Sequence, residues 1–227
     1  MRKTLHTAIF AVAVMSLFAL PHSGNAIPII ADTASSAEGI GDFSGTLTFT
    51  PSTSSTGILT VSLTHTTSGF AEAYITGFVF LLPEGITATS VTSSTHPSFE
   101  LLTEKKALSA PPFGEFDTGA ALGGDWTGGG KPQDGIGIGT GIPDTGIFDF
   151  ELTRTGLGAG TIDDFLSEVT EREWFVARIR GFEPCGGSDK VPADIASVPE
   201  PATLVLLGSG LALMGLLGRR KSRKSTS

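Results

Sequence analysis

Alternation of apolar and hydroxyl side chains limits this chain more than any other feature. Phe43, Leu47 and Phe49 alternate with Ser44, Thr46, Thr48 and Thr50, and Leu59, Val61 and Leu63 alternate with Thr60, Ser62 and Thr64. A period of two lines each apolar set along one face of an extended strand, whereas a helix would scatter the same residues around its circumference. Between the two runs, residues 51–57 (Pro-Ser-Thr-Ser-Ser-Thr-Gly) are turn chemistry, so the pair predicts a hairpin. Tyr74 to Leu82 is apolar on both faces, with Ile75, Val79 and Leu81 against Tyr74, Phe78 and Phe80. That predicts a central strand covered on both sides and stopped by Pro83-Glu84-Gly85.

Weaker strands are expected over Ile86 to Thr92 and Phe99 to Leu102. Phe148, Phe150 and Leu152 alternate with Asp149, Glu151 and Thr153 in another half-buried strand. Trp174 to Phe182 reads as the final strand, with Phe175, Ala177 and Ile179 facing one way and Arg178 and Arg180 sharing the other face with Trp174 and Val176. Gly alternating with Ile over 135–141 reads as a thin strand or edge segment; it lacks the Lys-Ser/Thr ending of a phosphate loop. One segment breaks the pattern: Ile162, Phe165, Leu166 and Val169 fall at i, i+3, i+4 and i+7 behind Thr161 and Asp164, which predicts a short helix. Strands spaced roughly ten residues apart with one short helix indicate an all-β fold, an antiparallel jelly-roll-like sandwich, over residues 27–185. A linker is expected over 186–197, rich in small and polar residues.

Both ends read as targeting segments. Arg2 and Lys3 precede an uncharged apolar run from Ala8 to Leu20, broken by Pro21, and Gly24-Asn25-Ala26 supplies small residues. This predicts a secretory signal peptide, 1–26, with a signal helix cut by signal peptidase between Ala26 and Ile27. The run is short for an uncleaved anchor, which needs about 17–25 apolar residues. At the other end, Pro199-Glu200-Pro201 leads into an uncharged run, 202–218, and then a basic cluster, Arg219, Arg220, Lys221, Arg223 and Lys224. Read as a transmembrane helix, that run is about 25 Å long, barely enough for a hydrocarbon core of about 30 Å. The basic residues, with the tail 222–227, stay on the cytoplasmic side.

The order of Pro motif, short apolar helix and basic stop over 198–221 resembles the PEP-CTERM sorting signal of Gram-negative bacteria. The resemblance implies recognition by an exosortase, a membrane transpeptidase-like protease. It also implies export through the inner membrane, transient anchoring there, and then release or attachment at the cell surface, often in bacteria that make exopolysaccharide and biofilm. The stretches 174–180 and 186–191 also look like the segment that precedes the anchor in many such proteins.

Without the two ends, the body holds 8 basic and 22 acidic residues, a net charge of −14. Such a body does not suit nucleic acid or anionic lipid. Its catalytic vocabulary is thin. There is no Gly-x-Ser-x-Gly, and His65 and His96, the histidines of the body, sit in Ser/Thr-rich stretches where each is expected to face solvent. No catalytic residue and no resident cofactor are expected. Asp144, Asp149, Glu151, Asp163 and Asp164 are oxygen donors for Ca²⁺, but the spacing is not that of a calcium loop and no metal site is assigned. Cys185 is the single cysteine, an incidental loop thiol or a bridge between two copies. The best binding candidate is the Gly-rich loop 123–132, where Trp126 beside Asp125 either stacks on a sugar or folds back to plug one end of the sandwich. The function expected is that of a non-enzymatic surface or matrix protein, with a carbohydrate-binding module or adhesin as the alternative.

Overall fold

The computed structural model describes residues 26–103, 108–138, 144–159, 161–162 and 173–196. Residues 1–25 and 197–227, where the signal peptide and the sorting segment are expected, lie outside the described residues, as does most of the expected helix after Ile162. Among the described residues no helix is long and apolar enough to cross a membrane.

Thirteen strands are described, in chain order β1 (Ile27–Ala31), β2 (Phe43–Pro51), β3 (Thr56–His65), β4 (Ala73–Phe80), β5 (Thr87–Thr92), β6 (Phe99–Leu102), β7 (Leu108–Ser109), β8 (Glu115–Phe116), β9 (Thr118–Leu122), β10 (Ile136–Ile138), β11 (Thr145–Thr153), β12 (Phe175–Arg180) and β13 (Ser188–Ile195). Eleven of them form one antiparallel sheet, ten along the path β5-β11-β3-β2-β1-β13-β12-β4-β9-β6 and β10 paired to β4 off it. β7 and β8 make a separate small hairpin. The path rolls on itself, so that its two end strands, β5 and β6, pack against each other and β10 packs on β3 and β11. The all-β, antiparallel expectation holds. The two leaves, a first of β1, β2, β3, β5 and β11 and a second of β4, β6, β9, β10 and β12, are joined into one rolled, barrel-like sheet in place of the separate facing sheets of a sandwich, because β13 pairs with both.

β13 is the largest departure from the sequence reading. Residues 186–197, expected to be a linker after a final strand ending at Phe182, hold this eight-residue strand. Its first half pairs with β12 up to Pro192, opposite Val176, and its second half pairs with β1 from Ala193 to Ile195. Pro192 has no N–H for a ladder and sits where the strand leaves one partner for the other. The last hydrogen bond, from Ala196 N–H to the Pro28 carbonyl at 2.9 Å, lies three residues before Pro199.

β2 and β3 form the expected hairpin, and Phe43, Leu47, Phe49, Leu59, Val61 and Leu63 all turn inward. In β4 the strict alternation fails. A register shift against β12 falls between Gly77 and Ile75, so Ile75 joins Phe78 and Phe80 in the main core while Val79 turns outward. Phe78 sits at the middle of that core, with ring centroids 4.9 Å from Phe148, 5.9 Å from Phe150 and 5.6 Å from Phe175. Those distances suit edge-to-face and offset aromatic packing and tie the two leaves together. Asp189, also inward on β13 and 1% exposed, accepts from Ser36 Oγ and from the backbone N–H groups of Glu38, Ile40 and Gly41, at 2.9–3.1 Å. This carboxylate therefore organises the loop between β1 and β2.

Candidate functional site

The second leaf is apolar on its outer face too, as the two-sided pattern of β4 anticipates. Val79, Ala121 and Val176 on that face are covered by Leu108, Ala110 and Phe116 from the β7–β8 hairpin and by Trp126 from the Gly-rich loop. Gly77 makes the seat for the indole: a Cβ added there would lie 2.9 Å from the Ala121 methyl and 3.3 Å from the Trp126 ring. Trp126 is 5% exposed, and its Nε1 donates to the Ser109 carbonyl at 3.1 Å. The exposed stacking platform is thus absent at Trp126. The ring folds back, as the alternative had it, but onto the outside of a leaf and not over an open end.

Asp125, beside it, is exposed. One carboxylate oxygen accepts from the Thr127 N–H at 2.7 Å and the Thr127 hydroxyl at 2.6 Å. Those two bonds to Thr127, helped by the charge of Arg178, hold its carboxyl below the usual carboxylate range. Between this turn and β6 lies a half-open cleft of about 330 Å³, walled by Leu101, Leu108 and Trp126 and edged by Ser109, Asp125 and Thr127. That is the lower end of the range, about 300–1,000 Å³, in which small molecules bind. Residues 104–107, which join Thr103 to Leu108, lie outside the described residues. Asp125 is the one titratable group among the described lining residues. A carboxylate that stays ionised is a hydrogen-bond acceptor for hydroxyls and a poor proton donor at neutral pH. The cleft therefore sets hydroxyl and carboxylate oxygens opposite an apolar wall.

The histidines are not at the surface. His65 and His96 are each 4% exposed, because β3 carries His65 inward and a turn places His96 beside Phe99 and Phe148. Burial pushes the His65 imidazole down to about 4 and lowers that of His96 as well. Neither borders the cleft. Asp149 and Glu151 point outward on β11 and are engaged by Thr60 and Ser90. Among the described residues no group of three or more side chains is placed to hold a metal ion; Asp163 and Asp164 lie outside them. Cys185 is exposed in the turn between β12 and β13.

At the front of the chain, Ala26 is exposed and Ile27 is the first residue of β1. At the back, residues 197–223 match the family model of the PEP-CTERM protein-sorting motif. The chain carries a PEP-CTERM sorting signal. Pro199, Glu200, Pro201, Arg219, Arg220, Lys221 and Arg223 fall inside the match and Lys224 just after it, all outside the described residues. The PEP-CTERM signal implies an exported protein processed by an exosortase. No curated protein and no solved structure matches the chain.

Sequence reasoning missed Asp189 and the inward histidines. Asp189 had a usable signal, because Asp189, Val191 and Ala193 keep period two across Pro192.

Proposed function

We propose that this PEP-CTERM protein is a non-enzymatic component of the cell surface or extracellular matrix, delivered across the inner membrane as an acidic β-body and released from its tail by an exosortase. The observation that carries the reading is the sorting motif at 197–223, which begins directly after Ala196, whose N–H makes the last hydrogen bond of the rolled sheet among the described residues. Removal of the tail after Ala196 would leave every described strand intact. The test is the intact mass of the protein from its native host, measured by cell fraction. A species starting at Ile27 and ending near Pro199, outside the inner membrane, supports the reading. A membrane-bound species that keeps Arg219 to Ser227 sinks it and makes the tail a permanent anchor.

A second reading is favoured by the cleft. Its apolar wall, the hydroxyl residues Thr103, Ser109 and Thr127, and ionised Asp125 suit a sugar of the matrix, so the body would act as a carbohydrate-binding module or adhesin. Calorimetric titration with neutral and acidic oligosaccharides tests this. Loss of binding in Asp125→Ala and Thr127→Ala, which remove cleft contacts while leaving the Trp126 seat, supports it. Equal binding in parent and variants removes the cleft from consideration.

A further inference from the structure

Three of the eight basic residues of the body gather on the outer face of the second leaf. Arg178 and Lys190 are opposite each other on β12 and β13, and Arg180 follows Arg178 on the same face. Directly opposed residues on antiparallel strands stand about 5 Å apart at Cβ. Their head groups reach into the loops above. Arg178 Nη1 donates to the Trp126 carbonyl, Arg180 Nη1 to the Gly129 carbonyl at 3.2 Å, and Lys190 Nζ to the Pro111 carbonyl at 2.9 Å. Each guanidinium has five N–H groups, so these bonds leave donors over. Arg178 Nε is buried and has no hydrogen-bond partner.

Both guanidinium groups border one exposed glycine, each through the Nη1 that also donates to a loop carbonyl. A Cβ added at Gly128 would lie 3.8 Å from Arg180 Nη1 and 4.0 Å from Arg178 Nη1, with nothing nearer. Gly128 is exposed and has φ +149°, a conformation that favours glycine, so no side chain fills the position. Asp125 is the carboxylate whose charge reaches Arg178, and one of its oxygens is already taken by Thr127. The repulsion within the cluster is felt by its members: after burial, Arg180 is what lowers the proton affinity of Arg178, and Arg178 that of Lys190.

We propose that the outer face of the second leaf binds an oxyanion over Gly128, gripped by Arg178 and Arg180 with Lys190 beside it. The planar forks of two arginines match the oxygens of a carboxylate or phosphate, and a net positive patch on a body of charge −14 is relieved by such a ligand. The ligand comes either as the uronate of an acidic polysaccharide or as free phosphate. The site adjoins the cleft at Asp125 and Trp126 but grips its ligand through Arg178, Arg180 and Lys190, which do not line the cleft, so it stands if the cleft binds nothing.

The test uses the full chain, with inorganic phosphate and oligogalacturonate titrated at constant ionic strength and read by calorimetry and by thermal midpoint. Saturable binding is expected, weakened about tenfold or more in Arg180→Gln and about threefold in Lys190→Gln, and strengthened in Asp125→Asn. Tighter binding of oligogalacturonate assigns the site to polysaccharide, and equal or tighter binding of phosphate assigns it to the free ion. Absence of saturable binding of both probes to the parent protein overturns the proposal whatever the variants do. Unchanged affinity in folded Arg180→Gln overturns it too.

Discussion

His65 gives the fold a built-in sensitivity to acid that can be worked out from its contacts. Its Nε2 lies 2.8 Å from the Thr67 hydroxyl, and that hydroxyl donates its single proton to the Asp42 carbonyl at 3.1 Å while accepting from the Asp42 N–H at 2.8 Å. With the hydroxyl proton on the Asp42 carbonyl, Nε2 is the protonated nitrogen of the neutral ring, and Nδ1 is buried without a hydrogen-bond partner. A second proton would have to go there. Burial opposes it, and the backbone of Ile136 and Ala73 offsets only part, so the pKa falls from 6.5 to about 4. The folded state holds the neutral ring, so its contribution is complete above pH 6.5 and is lost as pH falls toward 4. At about 1.4 kcal/mol per pKa unit, the loss is about 2 kcal/mol near pH 5 and about 3 kcal/mol at the acid limit. His65→Gln keeps an N–H to offer Thr67 and cannot titrate. Urea unfolding of both proteins, followed by tryptophan fluorescence from about pH 8 to about pH 5, isolates the effect from the carboxylates common to both. The parent should lose about 2 kcal/mol more than the variant over that range. Parallel pH profiles would refute the lowered proton affinity of the buried His65 ring.

Asp189→Ala strips a buried acceptor from Ser36 and from three backbone N–H groups, and should cost about 3–5 kcal/mol, read as a fall in thermal midpoint. An unchanged midpoint would show that the β1–β2 loop finds other partners. Trp126→Ala opens the outer cluster and should cost about 3–5 kcal/mol, whereas Trp126→Phe, losing mainly the bond to the Ser109 carbonyl, should cost about 1 kcal/mol more than a volume-neutral change. If the two variants are equally stable, the indole is not the support it is taken to be.

The hairpin of β2 and β3 and the strand β11 were open to reading because one face of each meets the core and the other meets water, which writes the alternation into the residues. β4 was readable as a strand covered on both faces, but its bulge was not, since nothing local marks Thr76 as the residue that drops out of register. β13 hid behind Pro192 and three charged residues. Asp189 looked like surface, though a carboxylate goes inside when backbone N–H groups from a distant loop converge on it. The solvent-facing reading of His65 failed, and that of Trp126 stayed open, for a related reason: a polar tip in sequence says nothing about whether Thr67 or Ser109 will be waiting inside to satisfy it. The sorting signal was fully legible, because it is addressed to an enzyme that reads linear order.

The pairing of β1 with β13 sets a schedule for export. Ile29, Ile30 and Ala31 lie opposite Ile195, Asp194 and Ala193, so the seam between the two leaves is made from the first and last segments of the body. For a chain threaded across a membrane from its N-terminus, β1 emerges first and waits with one edge bare until some 160 residues have followed it. Contacts so distant in sequence form late, because the loop between them must first be closed. A translocation that stalls before Ile195 leaves an unsealed roll with two raw strand edges, prone to pair with other chains. Only when that residue is through can the zip close, and the sorting motif follows at once.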